Sequence, residues 1–151
     1  MKVLKIFMFF LFPFVCHAQR ENNIWYFGDK AGLDFNSGNP VNLTDGQIFT
    51  IEGCAAISNI SGQLLFYTDG RKVWNRNHQV MSNGSGLRGH ASSTQSAIIV
   101  PKPNSNTIYY IFTTSERADS NGICYSEVDI TLNGGLGDVT ANKNIQLYAP
   151  T

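Results

Sequence analysis

The stretch that decides the fold is Gln63-Leu64-Leu65-Phe66-Tyr67-Thr68-Asp69-Gly70-Arg71-Lys72-Val73-Trp74-Asn75. Two runs rich in apolar, aromatic and β-branched residues flank an Asp-Gly pair, which suits the positive-φ positions of a tight turn. The spacing predicts a β-hairpin with a type I′ turn at Asp69-Gly70. Outward from it the same texture continues. Ser96–Pro101 and Thr107–Thr113 read as strands separated by the polar turn 102–106, and Asn121-Gly122 marks another turn. Ile123–Ile130 alternates as a half-buried strand does, and Asn144–Tyr148 reads as a short outer strand. Towards the N-terminus, Asn23-Ile24-Trp25-Tyr26-Phe27-Gly28-Asp29-Lys30-Ala31-Gly32-Leu33-Asp34-Phe35-Asn36 reads either as the lining of a binding site or as the first strands of the fold.

Laid over one another, the two central units show an internal repeat. Cys54–Ser58 matches Ala97–Val100, and Leu65–Thr68 matches Tyr110–Thr113, at an offset of about 43 to 45 residues, the spacing of four-stranded propeller blades. The fold class expected is therefore all-β: consecutive four-stranded antiparallel blade-like units forming a partial β-propeller over residues 19–151. A closed ring takes about four to eight such blades, and this length holds about two to three. The chain is accordingly expected to be an N-terminal fragment of a longer protein, with a self-contained β-sandwich as the alternative.

Residues 1–18 are read separately. Lys2 and Lys5 precede an apolar run from Ile6 to Val15 that is too short to span a bilayer, and Cys16-His17-Ala18 has the small-x-small ending of a signal peptide cut before Gln19. Phe14 and Val15 are too large for the position before a lipidated cysteine, so Cys16 is expected to leave with the signal. No transmembrane segment follows. Export leaves Cys54 and Cys124, whose apolar strand-like surroundings fit buried thiols or a bridge, and neither shares a metal-type spacing with His78 or His90. Eleven basic residues balance eleven acidic ones without any run of like charge, which argues against nucleic acid as a partner.

Trp25-Tyr26-Phe27-Gly28, Ala31-Gly32-Leu33-Asp34-Phe35, Leu64–Gly70, Val73-Trp74-Asn75, Ser92–Ser96, Tyr125–Asp129 and Leu132–Val139 together resemble the N-terminal region of a family of large exported Bacteroidota proteins. The resemblance covers essentially the whole mature chain. It implies a β-propeller ectodomain, often followed in that family by PKD repeats and a gliding-motility-associated sorting domain for type IX secretion. It also implies a place on the cell surface or outside the cell, or in the periplasm if the sorting domain is absent.

Chemistry-bearing patterns are sparse. His78 and His90 flank Asn83-Gly84-Ser85-Gly86, with Asp69 and Arg71 nearby in sequence, but no nucleophile or orienting partner stands at a recognisable spacing. The blander reading is a pair of exposed, idle loop histidines. Gly84-Ser85-Gly86 is not a nucleophile elbow. Ser58–Phe66 misses the Asp-box turn of sialidase-like propellers, because Ile60 stands at the Asp position and Phe66 comes one place late. Asp119-Ser120-Asn121-Gly122 offers too few oxygens for calcium and reads as an Asx turn. Asn42, Asn59 and Asn83 lie in N-x-[ST] sequons of an Asn- and Ser-rich chain. Trp25 or Trp74 at a rim would suit a carbohydrate or protein partner, whereas Trp74 beside a hairpin turn also suits packing between blades.

The function expected is an exported, non-enzymatic binding, adhesion or scaffold module, with surface glycans or other surface proteins as partners. No catalytic, cofactor-binding or metal residues are expected, and no cofactor. The rival is a fragment of a polysaccharide- or peptide-cleaving propeller enzyme whose catalytic residues lie outside this chain.

Overall fold

Within each sheet of the protein, every strand but the last pairs antiparallel with its neighbour in sequence, a consequence of short turns between apolar runs. The structure is a computed structural model that describes residues 20–117 and 119–149; the segment expected to be a signal peptide, with Cys16, lies outside them. After a single 3₁₀ turn at Arg20–Asn22, β1 (Ile24–Phe27), β2 (Ala31–Asp34) and β3 (Val41–Leu43) form a first meander. A second runs β4 (Ala55–Ser58), β5 (Leu64–Thr68), β6 (Lys72–Asn75) and β7 (Val80–Ser85). The third comprises β8 (Ala97–Pro101), β9 (Ile108–Thr114), β10 (Ile123–Asp129), β11 (Asp138–Val139) and β12 (Ile145–Tyr148). Strands β11 and β12 both pair with β10, at Val128–Asp129 and at Ile123–Tyr125, so together they form one interrupted fourth strand.

The fold is all-β and built of antiparallel sheets. The sequence repeat maps onto equivalent elements: Cys54–Ser58 and Ala97–Val100 hold the first strands of sheets two and three, and Leu65–Thr68 and Tyr110–Thr113 hold the second. The first strands lie together, with β4 against both β1 and β8, while the outer strand β7 lies against β11. Asn83 stitches that outer contact: its N–H donates to Asp138 Oδ1 at 2.8 Å and its side-chain amide donates to the Val139 carbonyl at 3.1 Å.

The second sheet is the middle layer. All five residues of β5 are buried, because one sheet covers each face. Leu65 and Phe66 join Val73, Met81, Tyr109, Ile111 and Val128 in the cluster shared with the third sheet. Leu64, Tyr67 and Trp74 join Tyr26 and Ile48 in the cluster shared with the first. Full burial of each such side chain is worth about 1.5–3 kcal/mol, so these two seams are the main source of stability.

One expectation is corrected, and one choice is decided. The β5–β6 turn is not type I′, because only Gly70 of the Asp-Gly pair has positive φ (82°). Its shape comes from side chains: Asp69 Oδ1 accepts the N–H of Arg71 and of Lys72 at 2.8 and 2.7 Å, and Thr68 Oγ1 accepts the N–H of Gly70. The Trp25-Tyr26-Phe27-Gly28 segment opens a sheet of its own by pairing with β2. Tyr26 turns inward onto the second sheet, and Trp25 and Phe27 stay exposed on the opposite face.

Candidate functional site

The segment joining the first sheet to the second brings Gln47 and Phe49 over the β5–β6 turn. Backbone bonds hold it against the β1–β2 turn, from Lys30 N to the Ile48 carbonyl at 2.9 Å and from Thr50 N to the Gly28 carbonyl at 3.0 Å. With Ile48 buried beneath it, Phe49 is turned outward and is 64% exposed. Together with Asp69, Arg71, Lys72, Trp74, Gly86, Leu87 and Gly89, these residues enclose a cleft of about 570 Å³ with mixed polar and apolar walls.

The floor of this cleft is rigid. Leu87 N and Gly89 N donate to the carbonyls of Arg71 and Gly70, and Ser96 Oγ donates to the Asp69 carbonyl at 2.8 Å. A Cβ on Gly70 would lie 2.2 Å from Ser96 Oγ, which is why this turn needs glycine on steric as well as conformational grounds. Asp69 is almost sealed, with its side chain 4% exposed, and Oδ2 accepts Arg71 Nη2 at 2.9 Å. That ion pair fixes the guanidinium, whose Nη1 has no acceptor among the described residues. Lys72 is exposed and forms no ion pair among them.

Behind the cleft a polar chain ties the two sheets. Tyr26 Oη donates to Asp45 Oδ1 at 2.8 Å, and His78 Nε2 lies 3.2 Å from Asp45 Oδ2. Tyr67 Oη lies 3.1 Å from His78 Nδ1 and accepts Gln47 N–H at 3.1 Å. The consistent proton placement has His78 Nε2–H donating to Asp45 and Tyr67 O–H donating to Nδ1. Burial, reinforced by a hydrogen bond to the Asp45 carboxylate, pushes the Tyr26 phenol well above its ordinary range. Burial raises that of Tyr67 as well. Both oppose a phenolate, and Tyr67 is fully enclosed, so no substrate reaches its oxygen.

A second, apolar cleft of about 480 Å³ lies between β1 and β4, lined by Trp25, Tyr26, Phe27, Leu33 and Cys54–Ala56. Cys54 and Cys124 are both free thiols. Burial pushes the Cys54 thiol up, away from the thiolate that a nucleophile requires, and Cys124 donates to the Asn121 carbonyl at 3.3 Å.

The residues singled out in the sequence are dispersed. His78 and His90 share no partner: His78 joins the Asp45 chain, whereas His90 Nδ1 sits 2.8 Å from Glu116 in the approach to β8. His78 is therefore bonded and partly buried. Its side chain is 20% exposed, and its left-handed φ of 60° is held by bonds to Asp45 and Tyr67 and an edge-on contact with Tyr26. Asp119 Oδ1 accepts the N–H of Asn121 in an Asx turn. Among the described residues no group of three or more His, Cys, Asp or Glu is placed to hold a metal ion, and no helix is long and apolar enough to cross a membrane. Asn59 builds a turn by accepting the N–H of Ser61 and Gln63, Asn83 bridges two sheets, and Asn42 is exposed on β3. Trp74 is buried on Tyr67, while Trp25 is half exposed.

No protein-family model, curated protein or solved structure matches the chain. Asp45, Gln47 and Phe49 carry no motif: burial alternates from Asp45 to Thr50, but the adjacent apolar residues Ile48 and Phe49 break any matching alternation in the sequence, so the segment reads as a linker.

Proposed function

We propose that the chain is the arc of a β-propeller in an exported binding module, engaging glycans or proteins at or beyond the cell surface without chemistry of its own. The observation that carries this reading is the succession of three meander sheets stacked in chain order with β1, β4 and β8 side by side, the arrangement of neighbouring blades around an axis. Propellers characteristically present ligands with the connections at the rims of their blades, and the cleft of Phe49, Arg71 and Trp74 lies at such a rim. Trp74 stacks on Tyr67 and the Asp45 chain locks the loop above it, so the walls are preorganised and not assembled by the ligand. The location proposed rests on the resemblance to exported Bacteroidota proteins.

The test is a glycan array and a surface-protein pull-down with the purified mature chain, paired with product analysis of every glycan that binds. Retention of bound glycans intact supports the proposal. Release of shortened products at catalytic rates overturns it in favour of an enzyme, and failure to bind any glycan or protein overturns the binding role itself.

A further inference from the structure

We propose that the cleft between the segment joining β3 to β4 and the β5–β6 turn takes an anionic pyranoside, a sugar ring bearing a carboxylate or sulfate, with Phe49 beneath the ring and Arg71 and Lys72 on the charge. This rests on the binding role proposed above and names its ligand class.

Three observations converge. First, the lining is rich in unused donors: Arg71 Nη1, the Lys72 ammonium and the Trp74 indole N–H have no acceptor among the described residues, and Trp74 Nε1 is not among the sealed unpartnered atoms. Second, the one carboxylate in the lining is already spent. Asp69 is sealed, with one oxygen on two backbone N–H groups and the other on the guanidinium. Of the carboxylates outside the lining, Asp45 on the covering segment is committed to Tyr26 and His78, and Asp29, cross-strand from Phe49, lies in the neighbouring cleft of the β1–β2 turn. Two cations therefore face the cleft against one neutralising group, a balance that favours an acceptor-rich anion. Third, the residue Phe49 is 64% exposed although the segment carrying it is anchored on both sides. An aromatic ring suits the C–H surface of a pyranose.

The same geometry disfavours an acidic peptide. An extended peptide adds to an open strand edge, and the backbone of Leu87 and Gly89 beside the cleft is already bonded to the Gly70-Arg71 turn.

The experiment uses the purified mature chain and titration calorimetry with four probes: trigalacturonate, its fully methyl-esterified form, a sulfated galactan tetrasaccharide, and a short polyglutamate peptide. An acidic sugar is expected to bind at least roughly tenfold more tightly than the neutral ester, the size of one lost charge-assisted hydrogen bond. Whether the carboxylated or the sulfated sugar prevails identifies the anion. Lys72→Gln and Phe49→Ala, both at exposed side chains, are each expected to weaken binding by about tenfold with an unchanged melting temperature. Arg71→Lys, which keeps charge but loses the planar fork, is expected to weaken it too. Equal binding of the methyl ester, full binding by Phe49→Ala, or tighter binding of polyglutamate than of any sugar overturns the assignment. So does absence of binding by both acidic sugars. Neutral glycans bound in place of acidic ones overturn the ligand class alone, whereas capture of nothing at all on the array and in the pull-down overturns the underlying binding role.

Discussion

Tyr26 of β1 stacks on Tyr67 of β5, with ring centroids 4.6 Å apart and an interplanar angle of 26°. Tyr67 stacks in turn on Trp74 at 5.5 Å and 10°. This column of three rings fastens the first sheet to the second, and the Asp45–His78 chain caps its polar edge. Tyr26→Ala is expected to cost about 3–5 kcal/mol by emptying the column. Tyr26→Phe, which keeps the ring and loses only the bond to half-exposed Asp45, is expected to cost about 1 kcal/mol. Equilibrium urea unfolding followed by tryptophan fluorescence checks both.

The phenols also predict a pH dependence. Tyr26 and Tyr67 have folded values raised above the ordinary value of 10.0. In the unfolded chain these phenols ionise near pH 10. A raised folded value contributes stability that is fully present below pH 10 and is lost as pH rises from there through the folded values. The melting temperature is therefore expected to hold below pH 10 and to fall above it, with tyrosinate absorbance at 295 nm appearing in step with unfolding. Tyr26→Phe flattens the fall.

Gly70 and Gly86 separate two costs of replacing glycine. Both have positive φ, 82° and 78°, but a Cβ on Gly70 would meet Ser96 Oγ at 2.2 Å and the Ser96 carbonyl at 2.8 Å, whereas nothing lies within 4 Å of one on Gly86. Gly86→Ala is expected to cost about 1–2 kcal/mol, the strain of the left-handed region alone. Gly70→Ala is expected to cost clearly more, since it must also part the second sheet from the third. Paired denaturation curves of the two variants test the difference.

The outer face of the third sheet predicts self-association. Tyr110, Phe112 and Tyr125 touch one another with centroids 5.6–6.3 Å apart, and Leu147 beside them is 56% exposed. Trp25 and Phe27 stand on the outer face of the first sheet, at the other end of the stack. The isolated chain from Gln19 to Thr151 is expected to oligomerise or aggregate with rising concentration, and Phe112→Lys to suppress this. Sedimentation velocity across a concentration series is the measurement; a wild-type chain that stays monomeric and melts sharply contradicts the expectation.

Much of this architecture was legible because meander sheets announce themselves locally. The run Leu64–Thr68 and the alternation of Ile123–Asp129 each mark a strand, and turn residues mark their ends. The register shift between Ile57 and Ser58 was not legible, since a bulge comes from cross-strand fit and leaves no composition signal. The Asp69-Gly70 turn was placed correctly but typed wrongly, because the Asp69 carboxylate and Thr68 hydroxyl override the preference of the pair. The cleft escaped the sequence for a different reason. Gln47 and Phe49 meet Arg71 and Trp74 only through the stacking of two sheets, and the role of His78 depends on Asp45, far from it in the chain.

The order of the sheets bears on how the chain reaches this state. Nearly every strand pairs with the one made just before it, and each sheet rests mainly on the one that precedes it. The loops that must close to form the sheets are short, so little chain entropy stands between one folded sheet and the next. Folding can therefore advance from the N-terminus as successive segments become available, each finished sheet serving as the template for its successor.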